Sequence, residues 1–299
     1  VQASAADKVV LMLNWYVYGE HAPFYYGKAK GIYAAEGIDL EIQEGRGSAA
    51  TTQAVAAKTA HFGYVDVPTM MRAAIKGAPV ISTGVLLQTS PMSAMGFVEK
   101  NIKKPEDIKG KTVAITPADS MTQIWPLFLK KTGLKESDFQ TVAGDAQTKL
   151  NAVINGQADL LLGYVMDQSM KIKDATGKDV NAIKFADYGI NMVCSGVIAN
   201  TEFLRANDDL VKRFMAATTK AVEAAEKEPK AAAQAILDAN PKGGKIETLT
   251  KGFELTIPLY RTAETKGKRP FQVTDANMTD TVATLVEYGR CKDHTRENP

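Results

Sequence analysis

The chain has 299 residues, a formal net charge of +2, 45% hydrophobic and 23% charged residues. That length exceeds what one hydrophobic core usually serves, so two lobes with separate cores are expected, and the near-neutral charge gives no reason to expect nucleic acid or another polyanion as partner. No apolar run approaches the roughly 20 residues that cross a bilayer, so a membrane-spanning chain is not expected.

In chain order, short apolar runs predict strands at Val9 to Leu13, Asp39 to Gln43, His61 to Tyr64, Val80 to Leu87, Ala94 to Glu99, Thr112 to Ile115, Gln140 to Val142, Leu160 to Tyr164, Ala182 to Phe185 and Met192 to Ala199. Between them, apolar residues at helical spacing predict helices at Ser48 to Lys58, Thr69 to Ile75, Thr122 to Thr132, Ala146 to Asn155 and Met166 to Asp174. This alternation predicts an α/β architecture with largely parallel sheets. From Asp208 onward the pattern becomes helical: Asp208 to Glu226, Pro229 to Ala239, Thr248 to Ala263 and Asp275 to Glu287.

Two stretches repeat one plan. Ala54 to Val65 and Ala152 to Val165 both read as helix, turn, buried strand and then Gly-Tyr-Val, with Asp66 and Asp167 following. Two α/β lobes, each delivering a tyrosine (Tyr64, Tyr164) and a carboxylate at the carboxyl end of a strand, place those groups where open α/β sheets bind ligands. Similar composition of helix-turn-strand units is the alternative explanation.

Cys194 and Cys291 are too few for a disulfide scaffold and lack the Cys-x-x-Cys spacing of zinc or redox sites. Either they form a bridge in an oxidising compartment, or Cys194, inside the run Met192 to Ala199, is a small buried hydrophobe. Val1 to Asp7 is short, small and polar, and Ala3-Ser4-Ala5-Ala6 suits the neighbourhood of a signal-cleavage site, so export to the periplasm is expected.

Six of the 22 aromatic residues fall between Trp15 and Tyr26. Around them, Asn14-Trp15, His21-x-Pro23-Phe24-Tyr25 and Ala29-Lys30-Gly31-Ile32-Tyr33-x-x-Glu36-Gly37-Ile38-Asp39-Leu40 resemble the N-terminus of substrate-binding proteins of bacterial ABC importers. The branch resembled also contains fungal thiamin-pyrimidine synthase, beside binders of formylaminopyrimidine, riboflavin, sulfonates and nitrate. Gly45-x-Gly47-Ser48, Lys58-Thr59-Ala60-His61-Phe62-Gly63, Gly77-x-Pro79-Val80, Pro105 to Val113 and Ile198-Ala199-Asn200-Thr201-x-Phe203-Leu204 continue the resemblance in the same order. It implies a type II periplasmic-binding fold, with residues 8–88 plus 195–299 as lobe one and 89–194 as lobe two. Two crossovers near Val80 to Leu87 and Met192 to Ala199 would form a hinge, with ligand enclosed as the lobes close. It further implies a monomer that binds a small molecule and meets the membrane subunits of an ABC importer.

Trp15 directly follows a predicted strand, so its ring is expected at the cleft edge, where stacking on a flat ligand adds about 0.5 to 1.5 kcal/mol beyond area burial. His21 matches the family's ligand-proximal histidine and offers one donor and one acceptor when neutral; helix capping is its alternative. Phe24 reads as core and Tyr25 as a lesser cleft residue. Gly47 and Ser48 open one predicted helix, with Ser48 as N-cap, and Asp119, Ser120 and Thr122 open another; such starts present amides to an anion or carbonyl, or are simply well capped. Buried Asp66 and Asp167 favour a ligand with amino groups. Arg46 and Arg72, the only arginines of the N-terminal part, do not form an anion clamp.

No nucleophile elbow is present and the histidines at 21, 61 and 294 are scattered, so no metal, no cofactor and no enzyme activity are expected. The fungal synthases' run of iron-associated cysteines would fall near Asn191 to Gly196, where this chain has only Cys194. A thiamin-type pyrimidine is the expected ligand, with riboflavin, another aromatic metabolite, a sulfonate or nitrate as alternatives, and a cofactor-dependent pyrimidine-precursor synthase as the rival function.

Overall fold

A computed structural model describes residues 4–117 and 119–294, the side chains of 288–294 excepted. Two compact units emerge: one runs through Gln88 and resumes at Cys194–Thr274, and the other comprises Thr89–Val193 and the segment from Asp275 onward.

In the first unit the chain forms β1 (Asp7–Met12), α1 (Ala22–Ala29), α2 (Ile32–Ala35), β2 (Ile38–Gln43), α3 (Ser48–Ala56), β3 (Phe62–Asp66), α4 (Val67–Ile75) and β4 (Val80–Val85). The second unit forms β5 (Met92–Phe97), β6 (Thr112–Ile115), α5 (Ser120–Thr132), β7 (Gln140–Ala143), α6 (Ala146–Ile154), β8 (Leu160–Tyr164), α7 (Val165–Thr176) and β9 (Val180–Lys184). The chain then returns to the first unit as β10 (Ser195–Asn200), α8 (Thr201–Ala206), α9 (Asp208–Lys227), α10 (Pro229–Ala239) and α11 (Ile246–Thr256). α12 (Asp275–His294) closes the described chain.

The first sheet has the order β2-β1-β3-β10-β4 and the second β7-β6-β8-β5-β9. Each sheet is mostly parallel, as the alternation predicts, but mixed: four of its five strands run one way and one, β10 or β5, runs against them. β1, β2 and β3 pair in parallel, as do β6, β7 and β8, but β10 runs antiparallel to β3 and β4, and β5 to β8 and β9. Leu11, Leu13, Phe62 and Tyr64 fill the first core, where Phe62 stacks on Phe214 of α9 at 4.0 Å between centroids. In the second, Trp125 and Phe128 of α5 stack with Phe185.

The C-terminal helix is the main departure from the expected division. The resemblance implies lobe one for it, but α12 packs on α5 of the second unit. Thr281 Oγ1 accepts from the Val193 amide at 3.0 Å, Asn191 Nδ2 donates to Asp280 Oδ2 at 2.8 Å, and Lys131 pairs with Glu287 at 3.1 Å. These contacts join residues far apart in sequence, which helical periodicity cannot reveal.

Candidate functional site

In the first unit, β1 and β3 run side by side, paired through Met12 and Gly63. Trp15 and Asp66 each stand three residues past that pair, so both leave the sheet at its carboxyl edge. Trp15 is half-buried, its ring meeting Tyr16 edge-on. Asp66 ends β3 and caps α4: Oδ2 accepts from the Thr69 amide at 3.1 Å and its hydroxyl at 2.7 Å. Oδ1 is buried and has no hydrogen-bond partner among the described residues. Burial pushes the Asp66 carboxyl above its usual range, an effect that the Thr69 donors, Cys194 and Arg72 oppose. A buried acceptor without a partner is costly, so this oxygen invites a donor from outside the chain.

α3 starts beside it. Gly47, not Ser48, is the N-cap, and its φ of 132° suits a glycine. Ser48 is the first helical residue, and its hydroxyl accepts from the Asp66 amide at 2.9 Å, tying this helix start to the end of β3. Tyr25 is half-buried; burial and the nearby Glu44 carboxylate push its phenol up to about 12, so it remains a neutral donor.

Tyr64 and His21 lie deeper than expected. Both are fully buried. Tyr64 donates to Glu20 Oε1 at 2.7 Å, Tyr18 donates to the other Glu20 oxygen, and burial with the Glu20 charge drives the Tyr64 phenol far up. His21 Nδ1 accepts from the Tyr18 amide at 3.3 Å and Nε2 faces Asn14 Oδ1 at 2.8 Å. These two residues form the wall behind the edge.

In the second unit, Asp119 caps α5 through Thr122 N at 2.8 Å, and its second oxygen meets the Lys149 ammonium at 3.4 Å, with Lys149 fully buried. Thr122 gives its hydroxyl to the Thr116 carbonyl at 3.0 Å. Ser120 Oγ and Tyr164 Oη bond each other at 3.2 Å. The repeat's second aspartate is displaced by one residue: Asp167 lies inside α7, paired with Lys171 at 3.1 Å and bonded by Gln168 at 3.1 Å. The expected preference for amino groups would therefore rest on Asp66, because Asp119 and Asp167 are matched by lysines.

Sequence reasoning missed Glu20 and Lys149, and met Asn14 and Gly45 only as members of motifs. Lys149 had a visible signal, a charged residue four before Val153 on the buried stripe of α6. At Gly45 the Gly-x-Gly pair before α3 was the signal for close backbone approach: a Cβ there would lie 1.9 Å from the Leu13 carbonyl oxygen. Among the described residues no group of three or more His, Cys, Asp or Glu side chains could hold a metal ion, and no helix is long and apolar enough to cross a membrane. Cys194 is buried, while the Cys291 side chain lies outside the described residues, as does the proposed bridge between them.

A family model described as NMT1/THI5 like matches residues 19–232. The 4-amino-5-hydroxymethyl-2-methylpyrimidine phosphate synthase of Legionella pneumophila is 25% identical over 260 residues, 86% of this chain and 81% of the relative. The riboflavin-binding protein RibY of Chloroflexus aurantiacus is 24% identical over 218 residues, 72% of this chain and 61% of that one. Among solved structures, the periplasmic aliphatic sulphonate binding protein SsuA from Escherichia coli matches with a TM-score of 0.74 at 14% identity, over 97% of this chain and 88% of that one. That likeness shows the fold, the two-lobe α/β architecture of periplasmic binding proteins. The expectation of no enzyme activity is overturned by the synthase relatives. A search for triads and metal clusters does not detect chemistry that a cofactor supplies. Matched over more than half its length, the chain belongs to the NMT1/THI5-like family.

Proposed function

We propose that this protein binds a small heteroaromatic bearing an amino group, a thiamin-type pyrimidine first, as the solute-binding component of an ABC importer. The observation that carries this reading is the buried Asp66 Oδ1, unpartnered among the described residues, at the sheet edge where Trp15 also emerges. An exocyclic amino group would satisfy that oxygen, and the Trp15 ring offers a flat face to the heterocycle. The names of the curated relatives support the ligand class, since several act on or toward an aminopyrimidine and one binds riboflavin, also a flat heteroaromatic. In this reading the protein is exported, acts as a monomer outside the cytoplasmic membrane and delivers its ligand to membrane subunits.

A second reading, a pyrimidine-forming synthase, is favoured by the 25% identity to the Legionella enzyme across most of both chains. One experiment separates them. The protein is incubated with 4-amino-5-hydroxymethyl-2-methylpyrimidine, and separately with pyridoxal phosphate and iron, and the small molecules are followed by mass spectrometry. Reversible recovery of intact pyrimidine from a saturable complex supports the binding protein; appearance of new pyrimidine in the second incubation supports the synthase.

A further inference from the structure

The loop that carries Trp15 is tied down along its whole length. Thr51 Oγ1 donates to the Leu13 carbonyl at 2.8 Å, Gly45 N to the Trp15 carbonyl at 3.2 Å, and Val17 N to Glu44 Oε1 at 3.1 Å. At its far end Gly19 lies against α11 so closely that a Cβ would stand 2.5 Å from the Phe253 nitrogen. Across its middle runs the His21 ring. Because Nδ1 accepts from the Tyr18 amide it carries no proton, so Nε2 holds the proton and donates to Asn14 Oδ1. Asn14 and His21 are 4% and 0% exposed. Tyr18 and Tyr64 pack edge-on against the ring, with centroids at 4.5 and 6.0 Å, and both hydroxyls are anchored on buried Glu20.

We propose that His21 and Asn14 are positioning residues: the neutral imidazole closes the loop through Asn14 and holds the Trp15 ring in the orientation that receives the ligand. Both ring nitrogens are engaged by the chain, so His21 acts through its neighbour rather than on the ligand. The benefit is preorganisation, since a ring already ordered before binding loses less freedom when a planar ligand stacks on it. The proposal rests on the reading of Trp15 as the stacking residue, and its primary test needs no ligand.

The chain has two tryptophans, so Trp125→Phe leaves Trp15 as the only one. In that protein the fluorescence anisotropy of Trp15 is expected to decay with overall tumbling, without a dominant sub-nanosecond component of the kind a free side chain shows. Asn14→Leu and His21→Leu, which cut the bond from opposite ends, are expected to introduce that fast component and to raise acrylamide quenching about twofold or more, as for a side chain released to faster motion. His21→Gln, which keeps a donor for Asn14, is expected to restore slow decay. Fast motion of Trp15 before any loop substitution overturns the proposal, and so does unchanged anisotropy in a folded Asn14→Leu or His21→Leu protein. Titration with 4-amino-5-hydroxymethyl-2-methylpyrimidine separates the two readings. Lowered affinity in Asn14→Leu that disappears in the Trp15→Ala background supports positioning, whereas failure of that pyrimidine to bind the unaltered protein contradicts the proposed function and leaves the anisotropy result standing.

Discussion

Asp66 uses one oxygen to cap α4 and keeps the other buried without a partner among the described residues. With its carboxyl pushed by burial above the ordinary aspartate range, the folded protein holds this proton more tightly than the unfolded chain. Stability from this group therefore falls as pH rises from the unfolded value through the raised one, and the penalty persists at neutral pH. Asp66→Asn keeps a capping side chain and removes the charge. It is expected to raise the melting temperature of the ligand-free protein near neutral pH, with the gain shrinking as pH falls below the raised value, in calorimetric scans across that range. Trp15→Ala is expected to weaken binding of an aromatic ligand about threefold to tenfold from the stacking term alone, read by titration. In the second unit, Lys149→Met leaves Asp119 buried without its cation and should cost about 3 kcal/mol in urea unfolding, most of it recovered by adding Asp119→Asn. Asp66, Asp119 and Asp167 were visible in the sequence as carboxylates past strands, but their partners were not. Lys149 stands 30 residues from Asp119, and Glu20 stands 44 from Tyr64.

Most strands were legible as short apolar runs, and Thr112–Ile115 and Leu160–Tyr164 begin and end where their side chains predict. The reversed direction of β10 and β5 was not legible, because a run of buried residues carries no record of how the chain entered the sheet. Helical spacing predicts the starts of α4 and α5 late, at Thr69 and Thr122. In the structure each is the residue whose amide bonds the capping aspartate, Asp66 or Asp119. The junction between β1 and α3 depends on close backbone approach at Gly45, with Thr51 bonding the same Leu13 carbonyl. Gly45→Ala forces backbone apart and is expected to destabilise by more than about 2 kcal/mol, whereas Thr51→Val should cost about 1 kcal/mol, both read from denaturant midpoints.

At the scale of the whole molecule, the chain builds each unit from two separated segments, and helix periodicity alone could not assign the last one. Because α12 belongs with α5, truncation after Thr274 is expected to lower hydrogen-exchange protection in α5 while β1 and β3 keep theirs. The family and the α/β class were readable from motifs near the N-terminus; enzyme status was not, because cofactor chemistry leaves no triad to recognise. The most direct measurement is calorimetric titration of the intact protein and of Asp66→Asn with 4-amino-5-hydroxymethyl-2-methylpyrimidine. The account predicts saturable single-site binding that weakens about tenfold to a hundredfold in Asp66→Asn, the loss of one charged hydrogen bond. Absence of binding to the intact protein, or equal affinity for both, would contradict it.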